Sequence, residues 1–196
     1  MIDWIEENYI EILGVLFSLA YLWFSIRQNI LLWPMGIISA VLYVLVFFRA
    51  KFYADMGLNV YYFFISIYGW IVWTRGREPS GSKMPIKRLN VRMAVILTGI
   101  TMILFVVIGF ILKRYTDSPI PFGDALTTAG SITATWMLAR KYLEHWIIWI
   151  AVDALSIGLY FYRGLYPTVV LFLVYTTMAV IGFIEWKKEA PQRISA

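Results

Sequence analysis

Apolar runs of membrane-spanning length recur along this chain, separated by short polar breaks. A helix needs about 20 mainly apolar residues to cross a bilayer core. The runs 9–27, 33–50, 55–74, 91–112, 122–140, 146–163 and 167–186 meet or approach that length. The breaks have local reasons. Pro34 stands where a helix can begin, because its missing N–H costs nothing in a first turn. Pro119 and Pro121 interrupt the fourth and fifth runs, and Pro167 opens the seventh. The pattern predicts an all-α membrane protein with seven transmembrane helices.

The runs also repeat. At a constant offset of 113 positions, segment 18–73 lies over 131–186 without a gap. Ser18 meets Ser131, Trp23 meets Trp136, Arg27 meets Arg140 and Trp33 meets Trp146. Tyr62 meets Tyr175, Gly69 meets Gly182 and Trp73 meets Trp186. Apolar background alone explains some Leu and Ile matches, but not three Trp pairs and an Arg pair at one offset. An internal repeat in a hydrophobic chain points to a transporter.

Charge orients the runs. Basic residues collect in cytoplasmic loops, and the segment 75–92 holds Arg75, Arg77, Lys83, Lys87, Arg88 and Arg92 against Glu78 alone. With Pro79, Gly81 and Pro85 it reads as a flexible basic linker. Placing it inside also puts Arg27, Arg140, Lys141, Lys187, Lys188 and Arg193 inside. The acidic N-terminal segment then lies outside and the C-terminus in the cytoplasm. No cleavable signal peptide is expected, because the first residues are acidic rather than basic.

Each copy of the repeat covers three helices. Three is odd, so adjacent copies would be inverted, and the unmatched helix 91–112 turns the second copy back. The expected architecture is 3+1+3 with parallel halves, SWEET-like. Its parts are the first repeat 1–74, a basic cytoplasmic linker 75–90, an inversion helix 91–112, an extracytoplasmic loop 113–121, the second repeat 122–188 and a tail 189–196. A seven-helix retinal receptor would need a lysine within the last span, and 167–186 contains none.

Polar residues form stripes. Trp146, Trp149, Asp153, Ser156, Tyr160 and Arg163 share one face of the sixth run. The matching face of the second run holds Trp33, Gly36, Ala40, Tyr43 and Phe47. The third run adds Asp55, Asn59, Tyr62, Ser66, Gly69 and Trp73, and the fifth adds Asp124, Thr128, Ser131 and Thr135. Polar groups facing lipid are expensive, so these stripes are expected to line an aromatic cavity with a few acidic groups. Asp153 lies near mid-span, where an acid is costly unless solvated or paired, and its repeat partner is Ala40. It reads as a counter-charge for a substrate, as a packing acid bonded to neighbouring helices, or as a coupling-proton site. The expected substrate contacts are Trp149, Trp146, Asp153, Asn59, Tyr62, Trp33, Tyr43, Trp136 and Thr135. Trp4, Trp70, Trp73 and Trp186 sit near span ends and read as interfacial anchors. Arg49 and Arg163 read as flanking charges, and His145 as a loop histidine. Gly36, Gly69, Gly158 and Gly182 are expected to permit sliding contacts.

Composition agrees and narrows the function. The chain of 196 residues is 61% hydrophobic and 15% charged, against about 25% charged in a soluble domain. It has no cysteine, so neither a disulfide nor a thiolate metal site is expected. The net charge of +5 sits mostly in loops and reads as orientation, not nucleic-acid binding. No phosphate-binding glycine loop, metal-spaced histidine pair or Ser/His/Asp set is present, so neither an enzyme nor a cofactor is expected. The rival reading is a membrane binding or scaffold protein that does not translocate its ligand.

Two blocks carry a resemblance. The stretch Tyr43 to Trp73, YVLVFFRAKFYADMGLNVYYFFISIYGWIVW, resembles the PnuC family of bacterial vitamin transporters. So does HWIIWIAVDALSIGLYFYRGLYPTVVLFLVY at 145–175, with IGFIEWKK at 181–188. The resemblance implies a 3+1+3 fold, homotrimers in the bacterial inner membrane, and transport of nicotinamide riboside, with thiamine or riboflavin for some relatives. It also implies facilitated diffusion, with a cytoplasmic kinase or pyrophosphokinase trapping the vitamin by phosphorylation. Nicotinamide riboside carriers of the family show Trp-Trp-x-x-Trp in the sixth span. Here Trp146 and Trp149 provide Trp-x-x-Trp, preceded by His145. Nicotinamide riboside and thiamine both carry a cationic aromatic ring and suit an aromatic, acidic cavity; riboflavin is neutral and larger.

Overall fold

The computed structural model describes residues 2–49, 53–76 and 83–190. They form seven helices: α1 Ile2–Ile26, α2 Leu32–Arg49, α3 Tyr53–Arg75, α4 Val91–Tyr115, α5 Pro121–Ala139, α6 His145–Tyr162 and α7 Tyr166–Glu189. The prolines act as their positions predict. Pro121 is the first residue of α5, while Pro34 and Pro167 fall in the first turns of α2 and α7. Among the described residues, five helices are long and apolar enough to cross a membrane: α2, most of α3, α4, α6 and α7.

The chain divides into two compact units, Met1–Met84 and Pro85–Ala196. In the first, α2 packs between α1 and α3. In the second, α4, α5, α6 and α7 pack in succession, each against the next. α5 is rich in small residues. Ala125, Ala129, Gly130, Ser131, Thr133, Ala134 and Thr135 are buried along it. Thr133 shares a hydroxyl–hydroxyl hydrogen bond of 2.7 Å with Thr101 of α4. Small residues and interhelical hydrogen bonds are what membrane helices use in place of a hydrophobic driving force.

The sequence repeat is present in the backbone. α1 ends with Gln28 N–H donating to Ser25 O and Asn29 N–H to Phe24 O, at 3.0 and 2.8 Å. α5 ends with Lys141 N–H donating to Leu138 O and Tyr142 N–H to Met137 O, at 2.9 and 3.0 Å. Both are paired-bond helix ends with a left-handed residue. That residue is Gln28 in one copy and Lys141 in the other, at φ 51° and 61°. Neither is glycine, and both side chains are buried. The Arg-on-Trp contacts repeat as well, Arg27 at 5.0 Å from Trp23 and Arg140 at 5.7 Å from Trp136.

The described part of the basic linker differs from the flexible segment expected. Met84 and Ile86 are buried. Lys87 N–H donates to Lys141 O at 2.8 Å, and Leu143 N–H donates to Lys87 O at 2.9 Å. Leu89 N–H donates to Glu144 Oε2 at 3.0 Å. Backbone groups that a loop would leave to water are paired there, against the α5–α6 turn. Residues 77–82 and the tail 191–196 lie outside the described residues.

Candidate functional site

The α6 stripe meets α7 near both of its ends. Near the start of α6, Trp146 lies on Gly182 and meets Trp186 edge-on, with ring centres 5.9 Å apart. Near its end, Tyr160 lies 5.2 Å from Phe172. The neighbouring ridge faces α5: Val152 and Ile148 approach Gly130, and Leu159 approaches Gly123. Asp153 lies seven residues from both Trp146 and Tyr160, so it falls on the same line, midway along the α6–α7 seam.

Asp153 is 4% exposed, and among the described residues it has no hydrogen bond, ion pair or ring contact. Ser156, on the next turn, donates to Val152 O at 2.8 Å and so is satisfied within its own helix. Trp149 precedes Asp153 by one turn on the same face and is half-buried. An ionised carboxylate in such a place is costly until a partner arrives. A cation supplies that partner, and an aromatic cation also gains the Trp149 ring face, worth about 2 kcal/mol when desolvated.

The other expected contacts fall into two groups. Trp33 is fully buried on Gly69, edge-on to Trp73 at 5.5 Å, and so repeats the packing of Trp146. Tyr43 lies beside Gly14 and stacks on Phe47 at 5.7 Å. Thr135 is buried and donates to Ser131 O at 2.8 Å. These side chains are engaged in packing within their own bundles. Asn59, Tyr62 and Trp136 are partly exposed. Asn59 donates to Asp55 O at 2.9 Å, Tyr62 lies against Tyr61, and Trp136 stacks on Tyr142 at 6.2 Å. An open groove of about 260 Å³ on α3, lined by Trp70, Ile71, Thr74 and Arg75, holds none of the nine.

Several sequence expectations change here. Trp73 and Trp186 are not interfacial anchors; both are buried, as the edge partners of Trp33 and Trp146. Trp70 is exposed, whereas the side chain of Trp4 lies outside the described residues. His145 is not a loop residue. It begins α6, is fully buried, and lies 4.5 Å from Trp146 and 4.8 Å from Trp186, ring centre to ring centre. Its Nδ1 lies 2.6 Å from Tyr142 O, which fits an N–H donor there. Gly69 and Gly182 are filled by indole rings, not left smooth for sliding, while Gly158 has no neighbour within 4 Å. Residue type misleads because Trp and His suit a membrane interface and a buried seat equally well. The glycine pair at the repeat offset was the available signal. Lys141, buried with its ammonium 5.9 Å from the Trp186 ring centre, had none.

Comparison with known proteins identifies the family. A sequence model described as nicotinamide mononucleotide transporter matches residues 8–188. The chain is 23% identical to the nicotinamide riboside transporter PnuC of Escherichia coli (strain K12), over 96% of this chain and 89% of that one. It is 26% identical to the riboflavin/roseoflavin transporter RibM of Streptomyces davaonensis, over 90% of this chain and 83% of the relative. The crystal structure of the vitamin B3 transporter PnuC shares the fold, with a TM-score of 0.75 at 24% identity over 93% of this chain and 82% of that one. With nearly its whole length matched and the helical fold shared, this chain belongs to the nicotinamide mononucleotide transporter family, the family of the PnuC membrane transporters.

Proposed function

We propose that this protein is an uptake carrier of the bacterial inner membrane for a vitamin or vitamin precursor with a cationic aromatic ring, nicotinamide riboside or thiamine. One observation carries this reading: a buried mid-span carboxyl, Asp153, without a protein partner among the described residues and with Trp149 one turn away on its face. A carboxyl without a protein partner recognises a cation, and a tryptophan beside it recognises a flat ring. Relatives named for nicotinamide riboside support the substrate class. The relative named for riboflavin makes that neutral vitamin the comparison to run.

The rest of the reading extends the repeat and the resemblance. The helices adopt a 3+1+3 arrangement of parallel repeats, α4 being the inversion helix, with the N-terminus outside and the C-terminus in the cytoplasm. The carrier works as a homotrimer and moves its substrate downhill by alternating access. A cytoplasmic kinase or pyrophosphokinase then retains the vitamin by phosphorylation. Trp149 and Asp153 make the main contacts, and Asn59, Tyr62 and Trp136 are the further candidates with exposed surface.

Calorimetric titration of the purified protein with nicotinamide riboside, thiamine and riboflavin tests the substrate. Saturable binding of one of the cations is expected. Asp153→Asn removes the charge and keeps the shape; it should weaken that ligand by about tenfold or more, the effect of losing roughly 1.4 kcal/mol. Unchanged affinity in Asp153→Asn ends the counter-charge reading. Uptake into proteoliposomes holding this protein alone separates a carrier from a scaffold, since a scaffold binds without flux.

A further inference from the structure

The Trp146 seat and its repeat on Trp33 recur in detail. A Cβ built on Gly182 would lie 2.5 Å from Trp146 Cζ2, and one on Gly69 would fall even closer to the Trp33 ring. Contacts that short do not occur, and a ring that is 1% exposed has nowhere to move. Trp186 and Trp73 close the two seats edge-on. The indole N–H groups of Trp33 and Trp146 are buried without an acceptor among the described residues, so shape rather than hydrogen bonding holds them. The far end of the α6–α7 hairpin is the opposite. Phe161 and Tyr162 are 63% and 82% exposed, Gly164 makes the turn at φ 72°, and a Cβ on Gly158 would meet nothing.

We propose that Gly182 and Trp186 are positioning residues: they hold Trp146 so that α6 keeps one rotation and register against α7 at this end, and the hairpin flexes about it at the other. Trp149 and Asp153 lie one and two turns beyond the seat. A rotation of α6 there would carry both off the line that Trp146 and Tyr160 define. Gly69 and Trp73 serve Trp33 on α2 in the same way. The inference rests on the transporter reading only for the occasion of the flexing; the seat is a property of the fold.

The chain has no cysteine, so spin labels can be placed without removing any. One labelled pair, Ile147→Cys with Ile184→Cys, reports the Trp end; the other, Phe161→Cys with Val170→Cys, reports the hairpin end. All four positions are exposed. In the full-length protein the Trp-end pair should give a narrow distance distribution that does not move when nicotinamide riboside or thiamine is added. The hairpin-end pair should be broad and move by about 2 Å or more, the scale of helix shifts in switching proteins. Gly182→Ala should broaden the Trp-end distribution, whereas Gly158→Ala should leave it narrow. If Gly182→Ala fails to fold, Trp186→Phe, which shrinks one wall of the seat, is the variant to read. A Trp-end pair as broad as the hairpin-end pair without ligand, or one indifferent to both seat variants, overturns the proposal. If calorimetry detects no binding of either vitamin, the functional reading fails; the ligand-free widths and the two variants still decide the seat.

Discussion

At the scale of residues, glycines with the same local sequence character do different work, and only their neighbours reveal it. Gly69 faces the Trp33 ring, whereas Gly57, on the same helix, has nothing within 4 Å. Gly69→Ala should therefore lose about 1–3 kcal/mol through overpacking. Gly57→Ala should be neutral or gain about 0.5–1 kcal/mol from helix propensity. Thermal unfolding of the detergent-solubilised variants checks the pair, and equal effects would show that the seat is not tight. Asp153 was legible in the sequence because an acid at mid-span is rare for a physical reason. Trp73, Trp186 and His145 were not, because a side chain near a span end can point to the headgroups or into the bundle. The choice depends on the residue opposite, which the linear sequence leaves unspecified.

At the scale of elements, helix existence followed from apolar length and proline position, and helix lining from the α5 pattern of small residues. The linker was harder to read. Its Lys, Arg, Gly and Pro suggested a mobile segment, yet Lys87 pairs on both sides with the α5–α6 turn. Leu89 N–H is bonded to the Glu144 carboxylate. Glu144→Ala should therefore speed hydrogen exchange at the Leu89 amide, and Glu144→Gln, which keeps an acceptor, should largely restore protection. Equal exchange in the wild-type protein and both variants would mean that the Glu144 carboxylate does not protect the Leu89 amide. The two left-handed helix ends at Gln28 and Lys141 show the same limit. Glycine would have announced that conformation in the sequence; a buried polar side chain in its place does not.

At the scale of the molecule, charge asymmetry makes a checkable statement about topology. With the linker inside, the α4–α5 loop at Asp117 lies outside and the end of α7 at Lys188 lies inside. In whole cells an impermeant maleimide should label Asp117→Cys directly and Lys188→Cys only after permeabilisation. The reverse labelling would invert the topology and the direction of the bias that sets it.

Read alone, the sequence determined what depends on solvent and on covalent order. Apolar runs must be helical in a bilayer because no water is there to satisfy an open backbone. The repeat survives as an offset because each copy solves the same packing problem. Tertiary structure decided which polar and aromatic residues those copies consume. Trp33, Trp73, Trp146 and Trp186 turned out to be the pegs of two glycine seats. Asp153, where the first copy has Ala40, was left buried without a protein partner among the described residues. That division depends on what stands across each helix seam, and contacts between helices distant in sequence exist only after folding.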